Sequence, residues 1–166
     1  LGIELVVQGQ ARPGAKLVVS NHVSWLDIVA LNAVVPSRFV SKAEVKHWPL
    51  VGWMVAAVGT LFIEREGKRD VLRVVHLMAE ALKAGDCLAV FPEGTTGAGL
   101  PLLTFHGNLL QAAIATETPI QPVALRYEQG GERFSTRIAW VGETTLLQSV
   151  WRLLCGQGVV AHVHAL

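Results

Sequence analysis

The sequence predicts one α/β domain, a mixed and mostly parallel β-sheet flanked by helices. Three observations carry that prediction. The 166 residues suit a single domain with a sizeable core. Short apolar runs alternate along the chain with stretches of helical periodicity, the pattern of β–α units. No internal repeat, low-complexity tract or linker divides the chain.

Each element follows from its own signals. Leu17-Val18-Val19 reads as a buried strand. Trp25 to Val35 reads as a helix stopped by Pro36, because the residue before a proline is pushed out of helical geometry. Arg38 to Ser41 reads as a short strand, Leu50 to Val58 as a helix, and Thr60 to Ile63 as a strand after Gly59. Arg69 to Ala84 is the plainest helix: Val71, Val74, Val75, Met78 and Leu82 share one face, and Gly85 suits the C-cap. Cys87 to Phe91 is a strand broken by Pro92. Asn108 to Thr116 reads as a helix, and Ile120 to Arg126 as a strand with Pro122 near its start. Gly130-Gly131 is expected to turn the chain into a further strand near Thr136 to Val141. Leu146 to Leu154 is the last helix, and Val159 to Leu166 reads as a strand.

Composition narrows the function. Apolar residues make up 51% of the chain and charged residues 16%, against roughly 25% charged in an average soluble domain. No run reaches the roughly 18 apolar residues of a membrane-spanning helix. The best candidate, Trp48 to Val58, is short and reads as a buried or interfacial helix. The first residues lack the basic start and apolar run of a signal peptide. A net charge of +1 with scattered basic residues gives no case for nucleic acid. Cys87 and Cys155 have no metal or redox spacing, and Cys87 is expected as a small buried residue. His162 and His164 point to one face of a strand with no carboxylate or cysteine beside them in sequence, so no metal site is predicted. The chain starts at Leu1 and ends within a strand pattern, so residues 1–166 are expected to be a catalytic domain cut from a longer protein.

Chemistry concentrates in two turns that follow strands, where ligands usually bind in open α/β sheets. The first is Ser20-Asn21-His22-Val23-Ser24-Trp25-Leu26-Asp27. Histidine is the side chain best suited to take a proton near neutral pH. Asp27 suits a partner that fixes the imidazole tautomer and stabilises the imidazolium. Five residues on one regular helix lie about 140° apart, so the pair meets only if His22 sits in the turn and Asp27 on the first helical turns. Ser24 is the expected N-cap of that arrangement. The second turn is Phe91-Pro92-Glu93-Gly94-Thr95-Thr96, where glycine permits close backbone approach to a ligand. Between them, Leu61 to Arg65 is a strand ending in an arginine suited to grip a phosphate.

These blocks, with Ile120-Gln121-Pro122-Val123-Ala124-Leu125 as a fourth, resemble in order the glycerolipid (lysophospholipid) acyltransferase family over roughly Ser20 to Leu125. The resemblance implies the glycerol-phosphate acyltransferase type of fold. It implies that His22 deprotonates an acceptor hydroxyl and that Asp27 orients and charge-balances it. The hydroxyl would attack the thioester of acyl-CoA or an acyl-carrier protein with no acyl-enzyme and no bound cofactor. It further implies Asn21, Lys42, Arg65, Glu93, Gly94, Thr95 and Thr96 on the substrate side, with Arg65 on the acceptor head group. The partners implied are a lyso-lipid acceptor, the acyl donor and a membrane surface on the cytoplasmic face. Trp48, Trp53 and Met54 are candidate interfacial residues, and N-terminal membrane helices and a C-terminal tail are expected outside this sequence.

One departure bears on the acceptor. The family's third block continues Gly-Thr-Arg, but here Thr96 replaces the arginine. Phe105-His106-Gly107-Asn108 likewise replaces Phe-Lys-x-Gly. A hydroxyl cannot make the bidentate grip of a guanidinium, so a lyso-lipid with another head group, such as lyso-ornithine lipid, is the alternative to 1-acylglycerol-3-phosphate. A hydrolase using Ser20, Ser24 or Cys87 is a second alternative, although no Gly-x-Ser-x-Gly elbow is present. A non-catalytic lipid-binding domain is a third.

Overall fold

The apolar runs become strands in the computed structural model, which describes residues 2–48, 51–63 and 68–166. In chain order the elements are β1 (Glu4–Gln8), β2 (Lys16–Ser20), α1 (Leu26–Val34), β3 (Arg38–Lys42), α2 (Val51–Ala57), β4 (Leu61–Ile63), α3 (Lys68–Lys83), β5 (Cys87–Val90), α4 (Gln111–Ala115), β6 (Ile120–Glu128), α5 (Leu146–Cys155) and β7 (Val160–Ala165). The predicted residues Pro49, Leu50 and Arg65 lie outside the described residues.

One sheet runs in the order β1-β7-β6-β2-β5-β3-β4. Every pair is parallel except β6 with β7, which is the mixed, mostly parallel sheet that the sequence predicts. β2 is its centre, and its alternation explains the two cores. Val18 faces Leu31, Phe39 and Leu125 with α1 and α5. Leu17 and Val19 face the other way, onto Val74, Met78 and Leu82 of α3 and Ala112 and Ala113 of α4. A strand buried on both faces must be apolar throughout, as Leu17-Val18-Val19 is.

The ends of the elements have local causes. Helix α3 stops at Gly85, whose φ of +98° is reached without strain only by a residue lacking Cβ. Asp86 N–H donates to Ala81 O and Gly85 N–H to Leu82 O, at 3.0 and 3.1 Å, a Schellman closure. Helix α5 begins with a capping box, Thr145 Oγ1 accepting from Gln148 N and Gln148 Oε1 from Thr145 N. Pro122 is tolerated inside β6 because the ladder to β7 starts one residue later, at Val123 opposite Ala165.

Two expectations need correction, and one strand went unforeseen. Residues 136–141 form turns rather than a strand. Gly130-Gly131 closes a tight bridge between Gln129 and Glu132, and the chain then drops over the site, where Trp140 N–H donates to Val23 O at 2.9 Å. The helix at 108–116 starts as a 3-10 turn, Gly107–Leu110, before α4. Strand β1 went unpredicted because its Leu5 and Val7 are largely exposed at the sheet edge and make no buried run.

Candidate active site

The central strands β2 and β5 both end at one crevice, where the order of connections reverses on either side of β2. His22 follows β2, and Glu93 follows β5. Asp27 sits in the first turn of α1, fully buried, and folds back on the loop before it. Its Oδ2 accepts from Val23 N (2.6 Å), Ser24 N (2.9 Å) and His22 Nδ1 (2.8 Å). Its Oδ1 accepts from the Tyr127 hydroxyl at 2.7 Å. An acidic side chain reaching back to free N–H groups at a helix start is favoured by capping and by the dipole. The four-residue spacer is therefore the loop that wraps this carboxylate. Ser24 is not the N-cap: Trp25 holds that position, and Ser24 Oγ accepts from Leu26 N only at 3.4 Å.

A carboxylate can only accept, so Asp27 Oδ2 takes its third hydrogen bond from His22 Nδ1, which turns Nε2 away from Asp27. The ring stacks on Phe91, centroids 4.0 Å apart and planes 11° apart. His22 is thus held on one edge by Asp27 and on one face by Phe91, while its side chain remains 19% exposed. It opens on a cleft of about 410 Å³ whose apolar wall includes Phe39, Trp48, Val51, Val55 and Trp140.

The predicted site residues divide into two groups. Lys42, Gly94, Thr95 and Thr96 line the cleft with His22. Asn21 and Glu93 stand behind it as scaffolding. The Asn21 amide grips the backbone of Leu125, accepting from its N–H at 2.7 Å and donating to its carbonyl at 2.9 Å. Glu93 is 5% exposed, and its carboxylate accepts from His22 N (2.7 Å) and Leu103 N (2.9 Å). It ties together the two turns that follow β2 and β5. Gly94 has φ +70°, and a Cβ there would lie 3.4 Å from the His106 ring. The Thr96 hydroxyl donates to the Trp140 carbonyl.

Three contributors were not legible as site residues. Trp140 and Thr144 reach the cleft from the turn that replaces the predicted strand. Tyr127 lies two residues past the fourth block, and its inward alternation with Val123 and Leu125 was the signal for it. Burial, reinforced by the Asp27 charge and hydrogen bond, pushes the Tyr127 hydroxyl well above the ordinary tyrosine range. It stays a protonated donor. Away from the site, Arg126 hydrogen-bonds Glu128 and holds its carboxyl below the usual range. His162 lies against this pair, its Nε2 3.2 Å from Glu128 Oε2. Among the described residues no cluster of three metal-ligating side chains occurs.

The candidate nucleophiles of a hydrolase are out of position. Ser20 and Ser24 are each 1% exposed. Cys87 starts β5, at the opposite end of the strand from Glu93, with Sγ 3.1 Å from Ser37 Oγ.

Fold and site together define an α/β domain with a hydrogen-bonded histidine–aspartate pair at its strand ends, facing an apolar cleft. The Acyltransferase family profile matches residues 4–126, and the chain belongs to that family. It is 42% identical over its whole length to a lyso-ornithine lipid O-acyltransferase of Pseudomonas aeruginosa, covering 64% of that protein. It is 40% identical over 156 residues, 93% of the chain, to a 1-acyl-sn-glycerol-3-phosphate acyltransferase of Neisseria gonorrhoeae, covering 60% of it. The chain thus spans about three-fifths of the length of these relatives. The crystal structure of the 1-acyl-sn-glycerophosphate (LPA) acyltransferase from Thermotoga maritima shares the fold, with a TM-score of 0.62 over 98% of this chain and 60% of that one at 24% identity.

Proposed function

We propose that the protein transfers a fatty acyl group from a thioester donor, acyl-CoA or acyl-carrier protein, to the hydroxyl of a lyso-lipid. The observation that carries this reading is the dyad itself: a buried, fully hydrogen-bonded Asp27 behind a histidine whose Nε2 faces an apolar cleft. In this scheme Nε2 takes the acceptor's hydroxyl proton as the oxygen attacks the thioester carbonyl. The tetrahedral intermediate expels the thiolate, which recovers the proton from the imidazolium. Asp27 stabilises that cation. No side chain is acylated, in keeping with the buried positions of Ser20 and Ser24.

The family and both relatives support a lipid acceptor, and the cleft wall bears on its head group. Among the described residues that wall carries one lysine, Lys42, and one acidic side chain, Glu44. A dianionic phosphate needs several cationic or hydrogen-bonding partners to leave water. Charges of both signs suit a zwitterionic amino-acid head group, and Thr96 removes the usual arginine. These features favour a lyso-ornithine-type acceptor as the second reading beside 1-acylglycerol-3-phosphate, for which Arg65 would be needed. Among the described residues no helix is long and apolar enough to cross a membrane. Contact with a membrane surface is supported by exposed Trp53 near the cleft and by Leu147, Trp151 and Leu154 along one face of α5.

The test is acyl transfer by the full-length protein with a panel of lyso-lipids and both donor types. His22→Ala is expected to lower turnover at least ~100-fold, the lower end of general-base contributions, with an unchanged melting curve. Activity within a few-fold of wild type would overturn the mechanism.

A further inference from the structure

Asp27 is 0% exposed, so no solvent reaches it, and every donor it has is visible. Three converge on Oδ2: His22 Nδ1 and the N–H groups of Val23 and Ser24. Oδ1 has one, the Tyr127 hydroxyl at 2.7 Å. The two sets differ in origin. The Oδ2 donors belong to the same loop as the dyad and move with it. Tyr127 comes from β6, a hundred residues on, where it pairs with Ala161 of β7 and its carbonyl accepts from Ser135 N at 2.8 Å. Its ring is the largest of the fully buried side chains.

We propose that Tyr127 is a positioning residue of the dyad, its hydroxyl anchoring Asp27 to the sheet and setting how strongly the carboxylate attracts the His22 proton. A hydrogen bond to one carboxylate oxygen competes for charge that would otherwise bind the imidazolium. Removing that donor leaves a buried charged oxygen unpaired. The carboxylate then loses its fixed orientation, and its charge falls more fully on His22. The histidine therefore holds its proton to higher pH. Among the described residues, the other charged groups around the ring are few. Glu93, after β5, is occupied by two backbone N–H groups, and Lys42 of β3 and Glu44 line the open side of the cleft. Burial keeps the Tyr127 hydroxyl protonated, so it donates throughout the working pH range.

Tyr127 is the one tyrosine in the sequence. Site-specific incorporation of fluorotyrosine at position 127 alters this hydroxyl alone, and fluorination makes it a stronger donor without emptying the core. Two variants of opposite sign follow: Tyr127→Phe and the fluorotyrosine protein. The kinetic arm rests on the acyl-transfer reading and measures kcat, KM and the pH dependence of kcat/KM. Tyr127→Phe is expected to lower kcat roughly 10-fold or more, the factor a hydrogen bond to a charged group is worth, with little change in acceptor KM. The acidic limb of kcat/KM should move to higher pH, and the fluorotyrosine protein should move it to lower pH. The second arm needs no turnover: the His22 imidazole is titrated by NMR, its signal assigned by comparison with His22→Gln, and the same two opposite shifts are expected. If the wild type transfers no acyl group, the reaction reading fails and the titration still decides the role of Tyr127. If Tyr127→Phe does not fold, the fluorotyrosine protein supplies the shift. Titrations and pH profiles that coincide with wild type would overturn the proposal, even if melting temperature falls, because a tyrosine that only fills the core moves stability alone.

Discussion

Replacing Asp27 by asparagine tests the dyad with the least disturbance of shape. The carboxylate accepts four hydrogen bonds, three on Oδ2 and one on Oδ1. An amide can keep its oxygen toward Val23 N, Ser24 N and His22 Nδ1. Its NH2 group then faces the Tyr127 oxygen, which turns from donor to acceptor. The loop geometry therefore survives, and so does the tautomer with the proton on Nδ1. What is lost is the negative charge beside the imidazolium that forms during proton transfer. Charge-assisted hydrogen bonds are worth about 1.5–3 kcal/mol each, so losing the charge on the one to the imidazolium should lower turnover by roughly 10- to 100-fold, short of the roughly 10⁴-fold that follows where the same change also forces the wrong tautomer. Because a neutral amide escapes the desolvation cost of a buried charge, thermal stability should stay near wild type. The assay is acyl transfer to the preferred lyso-lipid, run beside a thermal melt. Asp27→Asn with turnover within fivefold of wild type would refute the reasoning and leave Asp27 a helix-start residue.

Ser24→Ala should retain transfer and lose at most about 1 kcal/mol of stability, since its hydroxyl only weakly accepts from Leu26 N; trapping of an acylated serine or cysteine by mass spectrometry would instead indicate a covalent enzyme. Thr96→Arg should raise kcat/KM for lysophosphatidic acid relative to lyso-ornithine lipid by about 10-fold, the worth of one charge-assisted hydrogen bond; an unchanged ratio would place the head group elsewhere. Combined Leu147→Ser, Trp151→Ser and Leu154→Ser should lower co-sedimentation of the chain with phosphatidylglycerol vesicles several-fold while leaving its melting curve intact, since all three side chains are exposed. Undiminished vesicle binding would remove α5 from the membrane-facing surface.

The sequence was most readable where one physical demand acts on a short stretch. Leu17-Val18-Val19 must be apolar to be buried on both faces, and the stripe from Val74 to Leu82 must repeat at helical spacing to reach the sheet. The His22–Asp27 spacing was readable for a related reason. Its five-residue offset fits only a loop followed by a helix, and that is the arrangement that lets Asp27 accept from Val23 and Ser24. Strand β1 and Tyr127 were hidden because their roles depend on partners far along the chain. Leu5 becomes a strand residue by pairing beside Ala161, and Tyr127 matters through Asp27, a hundred residues earlier.

The segment after β6 shows why local signals can mislead. Gly130-Gly131 carries a strong turn signal, and the apolar residues that follow suggest a returning strand. Neither edge of β6 is free for such a strand: β7 pairs with one from Val123 to Glu128, and on the other, past the end of the β2 ladder at Val123, the Asn21 amide takes the N–H and carbonyl of Leu125. The residues from Thr136 onward must satisfy their backbone elsewhere. They do so on the two turns that follow β2 and β5: Trp140 N–H donates to Val23 O, and the Trp140 carbonyl accepts from Thr96. The Trp140 ring then meets Trp48 edge to face, at 5.2 Å between centroids. A failed strand thus becomes one wall of the cleft, clipped to both chemical blocks. The threonine that replaces the expected arginine is one of its two clips. The substitution at position 96 therefore removes a cation and positions the wall at once, and a change there should be read through both effects.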